Sequence, residues 1–457
     1  MIPRKKTKII ATIGPASEQE KTLEKLISIG VDCTRLNFSH GSHQEKSRNI
    51  KLIRSLAKKL KKQIAIIADI QGPKIRIGNL PENGIELKNG QEISIDTGTR
   101  EYYGERIPLP SLMFRDGTKE GHLVFLDDGN LQIKITSKYG GIFKAIVIKG
   151  GVLFSKKGVN VPDLDNDSSI LNAKDKADIE FAVRAKADYL AVSFIRTAKD
   201  LKSIKKFLGK SKIKIIAKIE RPEALINIEE IIDEADAIMI ARGDLGIETP
   251  LWELPIRQKE IIESVRKKTK PVIVATQMLD SMIRNPIPTR AEVSDVANAV
   301  FESTDAVMLS GETASGKYPI EAVDMMRKIL EATSENSDYP CDNFNIENDK
   351  NEIMTVAKSA VEMAIGSQAS AIIIGSADEA LATAVSSFRP NIPIIAITKK
   401  SDVAQLLALT WGVTPLITAN KNLLVGAKKI LLEANSLKKG EKITYLRNIK
   451  TTTIETI

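Results

Sequence analysis

The stretch Ile213-Lys-Ile-Ile-Ala-Lys-Ile-Glu220 reads as a strand whose apolar run ends in two opposite charges. Strand residues alternate faces, so Lys218 and Glu220 project the same way from neighbouring pleats. Buried charges are costly unless they meet each other, a metal or a charged ligand. For an isolated pair the ordinary outcome is an internal ion pair. A second carboxylate changes that balance, because the next predicted strand runs into Ile240-Ala-Arg-Gly-Asp-Leu-Gly246. Glu220 and Asp244 together offer hard oxygen donors of the kind that hold Mg²⁺ beside a phosphate.

Outward from this strand the same pattern repeats. Apolar runs at 8–13, 31–36, 64–70, 187–194, 213–219, 237–241, 271–275 and 305–309 are each followed by a helical pattern. Continuous apolar strands alternating with amphipathic helices predict a parallel sheet covered on its outside. Eight units predict an α/β fold of the closed (βα)8 class. Residues 1–71 and 163–335 together come close to the roughly 250 residues such a barrel needs. Arg35, Asn37, Asp69, Ser193, Lys218, Glu220, Arg242, Asp244, Thr276 and Ser310 all fall at the C-terminal ends of different strands. Barrel enzymes keep their chemistry on that face. A solvated surface would scatter such groups over both ends.

Between Gly72-Pro73 and Val161-Pro162 the period changes to short alternating strands with frequent glycine, at 84–88, 92–96, 122–126, 131–136 and 142–149. Residues 72–162 therefore read as a small β-barrel domain inserted in a strand-to-helix loop, a hinged lid over the barrel mouth. A polar stretch at 336–350 reads as a linker. Residues 351–457 read as a C-terminal α/β domain with strands at 371–374, 394–398, 415–418 and near 442–446.

Composition narrows the function classes. The 457 residues are 42% hydrophobic and 27% charged, ordinary for a globular protein. No apolar run is long enough to span a bilayer, and the basic N-terminus lacks the apolar core of a signal peptide. Cys33 and Cys341 are the only cysteines, which excludes a disulfide framework and a thiolate zinc site. A cytoplasmic protein is expected. The net charge of +9 is spread over helical lysines, and aromatics are only 4%, so a stacking platform for nucleic acid has little to be built from. His40, His43 and His122 are not at metal-ligand spacing. Gly311-Glu-Thr-Ala-Ser-Gly-Lys-Tyr318 imitates a phosphate-binding loop, but Tyr318 replaces the hydroxyl residue that Mg²⁺ needs and Pro319 follows. It reads instead as a loop closing the eighth unit.

Long ordered motifs then carry a resemblance over almost the whole chain. Lys6-Thr-Lys-Ile-Ile-Ala-Thr-Ile-Gly-Pro-Ala-Ser17, Thr34-Arg-Leu-Asn-Phe-Ser-His-Gly41, Ala217-Lys-Ile-Glu220 and Ala241-Arg-Gly-Asp-Leu-Gly-Ile-Glu248 resemble the pyruvate kinase family. So do Val274-Ala-Thr-Gln-Met-Leu-Asp-Ser-Met282, Pro288-Thr-Arg-Ala-Glu292 and Met308-Leu-Ser-Gly-Glu-Thr-Ala314. The resemblance implies phosphoryl transfer from phosphoenolpyruvate to ADP in glycolysis, giving pyruvate and ATP through a Mg-stabilised enolate that is then protonated. It assigns Lys218 to the transferring phosphoryl group, Arg35 to the phosphate, and Glu220 with Asp244 to Mg²⁺ (or Mn²⁺). The Gly243 and Asp244 amides suit the substrate carboxylate. Thr276 falls near the enolate carbon, and Arg76 and Lys157 match nucleotide-phosphate contacts on the lid. A homotetramer is implied by the family alone. Two rivals are weighed: another metal-enolate barrel lyase leaves the lid and third domain unexplained, and a nucleic-acid-binding protein explains only the charge.

The departures from the family pattern are informative. Most members continue the third strand as Asp-Thr-Lys-Gly-Pro-Glu-Ile-Arg, with a K⁺ ion among nearby oxygens. Here it reads Asp69-Ile-Gln-Gly-Pro-Lys-Ile-Arg76. The expectation is that the Lys74 ammonium replaces K⁺ beside Asn37, Ser39, Asp69 and Ile70, so that K⁺ is not required. Ser376-Ala-Asp-Glu-Ala-Leu-Ala382 puts acids where regulated members bind an effector phosphate, so activation by fructose-1,6-bisphosphate is not expected. The C-terminus lacks the glycine-rich loop that usually precedes the final Thr-Thr.

Overall fold

The computed structural model describes residues 2–72, 74–127, 129–162, 164, 171–336, 352–375 and 379–457. The stretch read as a linker, beyond Asn336, lies outside them, as do Pro73, Asp163 and the 376–378 part of the effector-type loop.

Eight parallel strands close into a barrel: β1 (Lys8–Ile13), β2 (Cys33–Asn37), β3 (Ala65–Ile70), β4 (Tyr189–Val192), β5 (Lys214–Ile219), β6 (Ala237–Ala241), β7 (Val272–Ala275) and β8 (Ala306–Leu309). Closure is made by β1, which pairs with β8 through Lys8 and Ala306 and with β2 through Ile10 and Cys33. Alternation decides the layers. Ile9, Leu36, Ile66, Ile215, Ile238 and Val274 face outward under the helices. Ile10, Cys33, Ile67, Ala191, Ile216, Met239 and Ile273 fill the interior.

The floor of the barrel, at the N-terminal strand ends, carries a fourfold repeat. An aspartate precedes each even strand, and its side chain accepts the backbone N–H of the neighbouring odd strand. The pairs are Asp32 with Ile9 at 2.8 Å, Asp188 with Ile66 at 2.6 Å, Asp236 with Ile215 at 2.8 Å and Asp305 with Val272 at 3.0 Å. The backbone N–H of each aspartate returns a bond to the carbonyl of the same partner. Each aspartate also meets a cation, respectively Lys5, Arg54, Lys214 and Arg389. Asp188 and Asp305 are buried while Asp32 and Asp236 are partly exposed, and carboxylates so partnered close the floor.

The inserted segment forms a seven-stranded sheet and a two-stranded ribbon around its own core, in which Phe114 and Phe143 meet edge to face at 5.0 Å. The expected small β-barrel is thus a sheet plus a ribbon; strands of two or three residues, such as Ile75–Arg76 and Gly158–Asn160, give no readable period. The C-terminal five-stranded sheet runs in the order Val413–Ile417, Ile394–Thr398, Ala371–Ile374, Lys442–Asn448, Thr451–Thr456. The last strand is antiparallel and closes a tight hairpin through Ile449 and Lys450. This domain plugs the barrel from below: Ala408 and Leu409 join the interior cluster, and Tyr189 Oη donates to the Leu406 carbonyl at 3.0 Å.

Candidate active site

At the opposite end of the barrel the pleat of β5 does what its sequence demands. Lys214, Ile216, Lys218 and Glu220 share one face, and the last two reach the mouth buried. Lys218 Nζ lies 2.8 Å from Glu220 Oε1, 2.9 Å from Ser193 Oγ and 3.4 Å from Asp69 Oδ1. Asp69, one residue before the end of β3, also accepts Arg35 Nε from β2 at 2.6 Å, and Arg35 Nη1 donates to Thr12 Oγ1 at 3.2 Å. Asn37 and Asp69 stand level in the β2–β3 register, and Ser39 N donates to Asn37 Oδ1 at 3.0 Å. The Ile70 carbonyl accepts Ser193 Oγ at 3.1 Å.

The charges tune one another. Burial pushes the Asp69 carboxyl up, but Lys218 and Arg35 outweigh it and hold it below the usual range. Burial pulls the Lys218 ammonium down, and Asp69 and Glu220 more than reverse this, leaving it firmly protonated. Glu220 is pushed up by burial and then by the neighbouring Asp244 carboxylate, against Lys218 and the Phe194 N–H at 2.8 Å.

Asp244 lies in the first turn of the helix Arg242–Glu248 that leaves β6. Arg242 anchors that turn, donating to Asp295 Oδ1 at 2.7 Å and to the Thr276 carbonyl at 2.7 Å. The level pairing of Ala241 with Ala275 brings Gly243 beside Thr276, whose Oγ1 accepts Gly243 N at 2.7 Å and donates to the Ala275 carbonyl at 2.6 Å. Thr276 and Gln277 have φ of 72° and 53°, sparsely populated for a β-branched residue and its neighbour. Such strain persists where the surroundings impose it, and it clusters at functional sites.

Three residues differ from the sequence reading or extend it. Lys74 Nζ sits 3.1 Å from Asp244 Oδ1, so the structure aims the ammonium at Asp244 rather than at Asn37, Ser39 and Asp69. The reason is charge: the Glu220–Asp244 side is the one with negative charge left over, while Asp69 already holds two cations. Arg76 and Lys157 lie on the inserted unit, Arg76 Nη1 donating to the Lys156 carbonyl at 3.0 Å and Lys157 pairing with Asp127 at 2.7 Å. Arg76 nevertheless lies near enough to the mouth for its charge, after burial, to help lower the pKa of His40.

The donor set fits a hard divalent cation. No cluster of three or more His, Cys, Asp or Glu capable of holding a metal occurs among the described residues. Two carboxylates are what a Mg²⁺ site completed by water and substrate phosphate uses. Here the Asp244 carboxylate helps push the Glu220 carboxyl up, and an ammonium group meets each of the two.

A family model of the pyruvate kinase barrel domain matches residues 4–323, and one of the pyruvate kinase alpha/beta domain matches residues 354–456. The chain belongs to the pyruvate kinase family. It is similar to the pyruvate kinase of Geobacillus stearothermophilus, 41% identical over 98% of this chain and 78% of that one. The pyruvate kinase of Clostridium acetobutylicum is 39% identical over 98% of this chain and 96% of the other. A crystal structure of a pyruvate kinase from Cryptosporidium parvum superposes with a TM-score of 0.92 at 33% identity, covering 99% of this chain and 96% of that one. The enzyme transfers the phosphoryl group of phosphoenolpyruvate to ADP, giving pyruvate and ATP. Neither rival reading accounts for matches across barrel and C-terminal domain together.

Sequence reasoning missed the groups that hold these side chains in place. Thr12 under Arg35 and Asp295 under Arg242 come from distant elements, and no local period marks them. The floor aspartates did leave a signal: the residue before each even strand is aspartate.

Proposed function

We propose that Lys218 is the charge that faces the transferring phosphoryl group, with Arg35 on the phosphate oxygens. Phosphoryl transfer depends on positioning and charge neutralisation more than on covalent help. The P–O bond to the enolpyruvate oxygen breaks, a new P–O bond forms to a β-phosphate oxygen of ADP, and the enolate carbon then takes a proton. A Mg²⁺ or Mn²⁺ ion on Glu220 and Asp244 would supply Lewis-acid polarisation of the phosphate and enolate oxygens. The Gly243 and Asp244 amides receive the substrate carboxylate, Gly243 exchanging its bond to Thr276 for one to substrate. Thr276, so released, orients the water that protonates the enolate carbon. Arg76 and Lys157 on the inserted lid bind nucleotide phosphates. The division into barrel, lid and C-terminal domain, a homotetrameric assembly and a cytoplasmic location belong to the same reading, supported by membership of the family. No helix among the described residues is long and apolar enough to cross a membrane.

The observation that carries the assignment is the buried Lys218 ammonium shared by Asp69, Glu220 and Ser193 at the mouth. Pyruvate formation from phosphoenolpyruvate, with and without ADP and Mg²⁺, tests it; turnover independent of either would overturn it. Lys74 brings a fixed positive charge to the same mouth, which supports K⁺ independence. Equal activity is expected in tetramethylammonium and potassium salts, with a K⁺ requirement appearing in Lys74→Glu. Glu379 pairs with Lys214 of the barrel, which supports the absence of activation by fructose-1,6-bisphosphate. A fall in half-saturating phosphoenolpyruvate on adding the bisphosphate would sink that expectation.

A further inference from the structure

The Glu248 carboxyl side chain is almost completely buried, and it lies one helical turn beyond Asp244. Its Oε1 accepts Asn160 Nδ2 at 3.0 Å and its Oε2 faces Arg221 Nε at 3.4 Å. Arg221 is the residue after Glu220, and its Nη2 donates to the Val161 carbonyl at 3.3 Å. Asn160 ends the inserted unit's return strand, Gly158–Asn160, whose Gly158 pairs with Arg76 and whose Val159 pairs with Ile75. The same helix touches the inserted unit again, where a Cβ on Gly129 would lie 3.6 Å from the Ile247 side chain. Burial raises the Glu248 carboxyl and Arg221 opposes this, so the pair depends on its partner. None of these three side chains hydrogen-bonds to Lys218, Arg35, Glu220 or Asp244. They join instead the residue after one metal carboxylate, the helix that bears the other, and the strand through which the lid returns to the barrel.

We propose that Arg221, Glu248 and Asn160 form a positioning latch that fixes the spacing of Glu220 and Asp244 and ties it to the lid strand beside Arg76. The inference rests on the reading of Glu220 and Asp244 as metal ligands. Both carboxylates leave the barrel on short segments, β5 ending at Ile219 and the helix starting at Arg242. Arg242 holds the start of that helix against Asp295, and Arg221–Glu248 holds its end against the segment after Glu220. Metal affinity follows such outer contacts, whose loss commonly costs about 10–100-fold. Through Asn160 and Val161 the lid strand reports on the same spacing, so nucleotide binding and metal binding are coupled.

The test uses the full-length enzyme and Mn²⁺ binding followed by electron paramagnetic resonance without turnover, alongside steady-state kinetics. In Arg221→Met/Glu248→Gln both charges go together while the Asn160 bond to the side-chain carbonyl is kept. Arg221 Nε also lies 3.8 Å from Oε2 of the partly exposed Glu223, so thermal stability should fall only slightly: removing both partners of a buried pair is often neutral, and an exposed ion pair contributes little. The Mn²⁺ dissociation constant and half-saturating Mg²⁺ should rise about tenfold, with turnover at saturating metal nearly unchanged. Asn160→Ala cuts only the lid arm: half-saturating ADP should rise several-fold at roughly constant turnover, with Mn²⁺ binding to the free enzyme within about twofold of wild type. Glu220→Gln is the control for the underlying reading. Unchanged Mn²⁺ binding in that control removes the metal assignment itself. Weakened binding in the control, with wild-type binding in the double variant, overturns the latch alone. Unchanged ADP saturation in Asn160→Ala overturns the lid arm, and it does so even if the double variant fails to fold.

Discussion

The two ends of one barrel bury charge in opposite ways. At the floor, four aspartates each accept a backbone N–H and meet a cation, and Asp305 takes the Trp411 N–H as well at 3.2 Å. At the mouth, Lys218 is shared between two carboxylates, and the Asp244 carboxylate helps push Glu220 up. The floor is a closed hydrogen-bond account in which each carboxylate ties one strand to the next. The mouth is left with charges that a phosphorylated substrate and a cation would complete. Buried polar groups that are fully satisfied hold a fold together, whereas clustered and mutually perturbing ones mark where chemistry is done.

That contrast can be broken at either end. The largest effect is expected at the floor: Asp305→Ala strands the buried Arg389 and the Val272 and Trp411 N–H groups, and should cost about 3–5 kcal/mol of stability. Urea unfolding midpoints would register it, while turnover at 25 °C stays within about twofold. Lost turnover in a variant of undiminished stability would erase the distinction between the ends. Lys218→Met should do the reverse, lowering turnover at least about 10²–10³-fold with a small change in midpoint. Retention of more than about a tenth of wild-type turnover would remove the charge-stabilising role.

Lys8 sharpens the comparison from inside the floor. Burial lowers its pKa from 10.5 to about 8, against the opposing pull of Asp32 and Asp305, and its Nζ donates to the Val413 carbonyl at 2.6 Å. Between pH 8 and pH 10.5 the unfolded chain keeps a proton that the folded chain has released. Stability should therefore rise with pH across that window. Lys8→Met should abolish the rise and add about 2 kcal/mol at pH 7, once the lost bond to Val413 is allowed for. Melting temperatures at several pH values decide this, and a wild-type profile flat above pH 8 would contradict it. The smallest effect expected is on metal affinity. Glu220→Gln and Asp244→Asn should each raise half-saturating Mg²⁺ about tenfold or more. Unchanged metal titrations in both variants would take these carboxylates out of the metal site.

Much of this was legible in the chain itself. Every barrel strand falls within two residues of its apolar run, because a strand buried on both faces must be continuously apolar. The mouth residues were legible as charges ending such runs. The Lys74 contact was not, since the strand pattern gives its position at the start of the inserted unit but not which carboxylate across the mouth lacks a cation. Nor were the shortest strands of the insertion, where two or three residues carry no period.

Period and composition by themselves determined the barrel, the inserted unit, the C-terminal sheet and the end of the barrel at which the candidate site residues gather. Those are consequences of local burial, and burial is written residue by residue. Only the tertiary structure decided the pairings: Arg35 with Asp69 and Thr12, Lys74 with Asp244, Arg221 with Glu248, Asp305 with Arg389. A buried charge specifies that it must be met but not by which of many distant partners, and that choice is made by barrel closure and by the docking of the two added units against it.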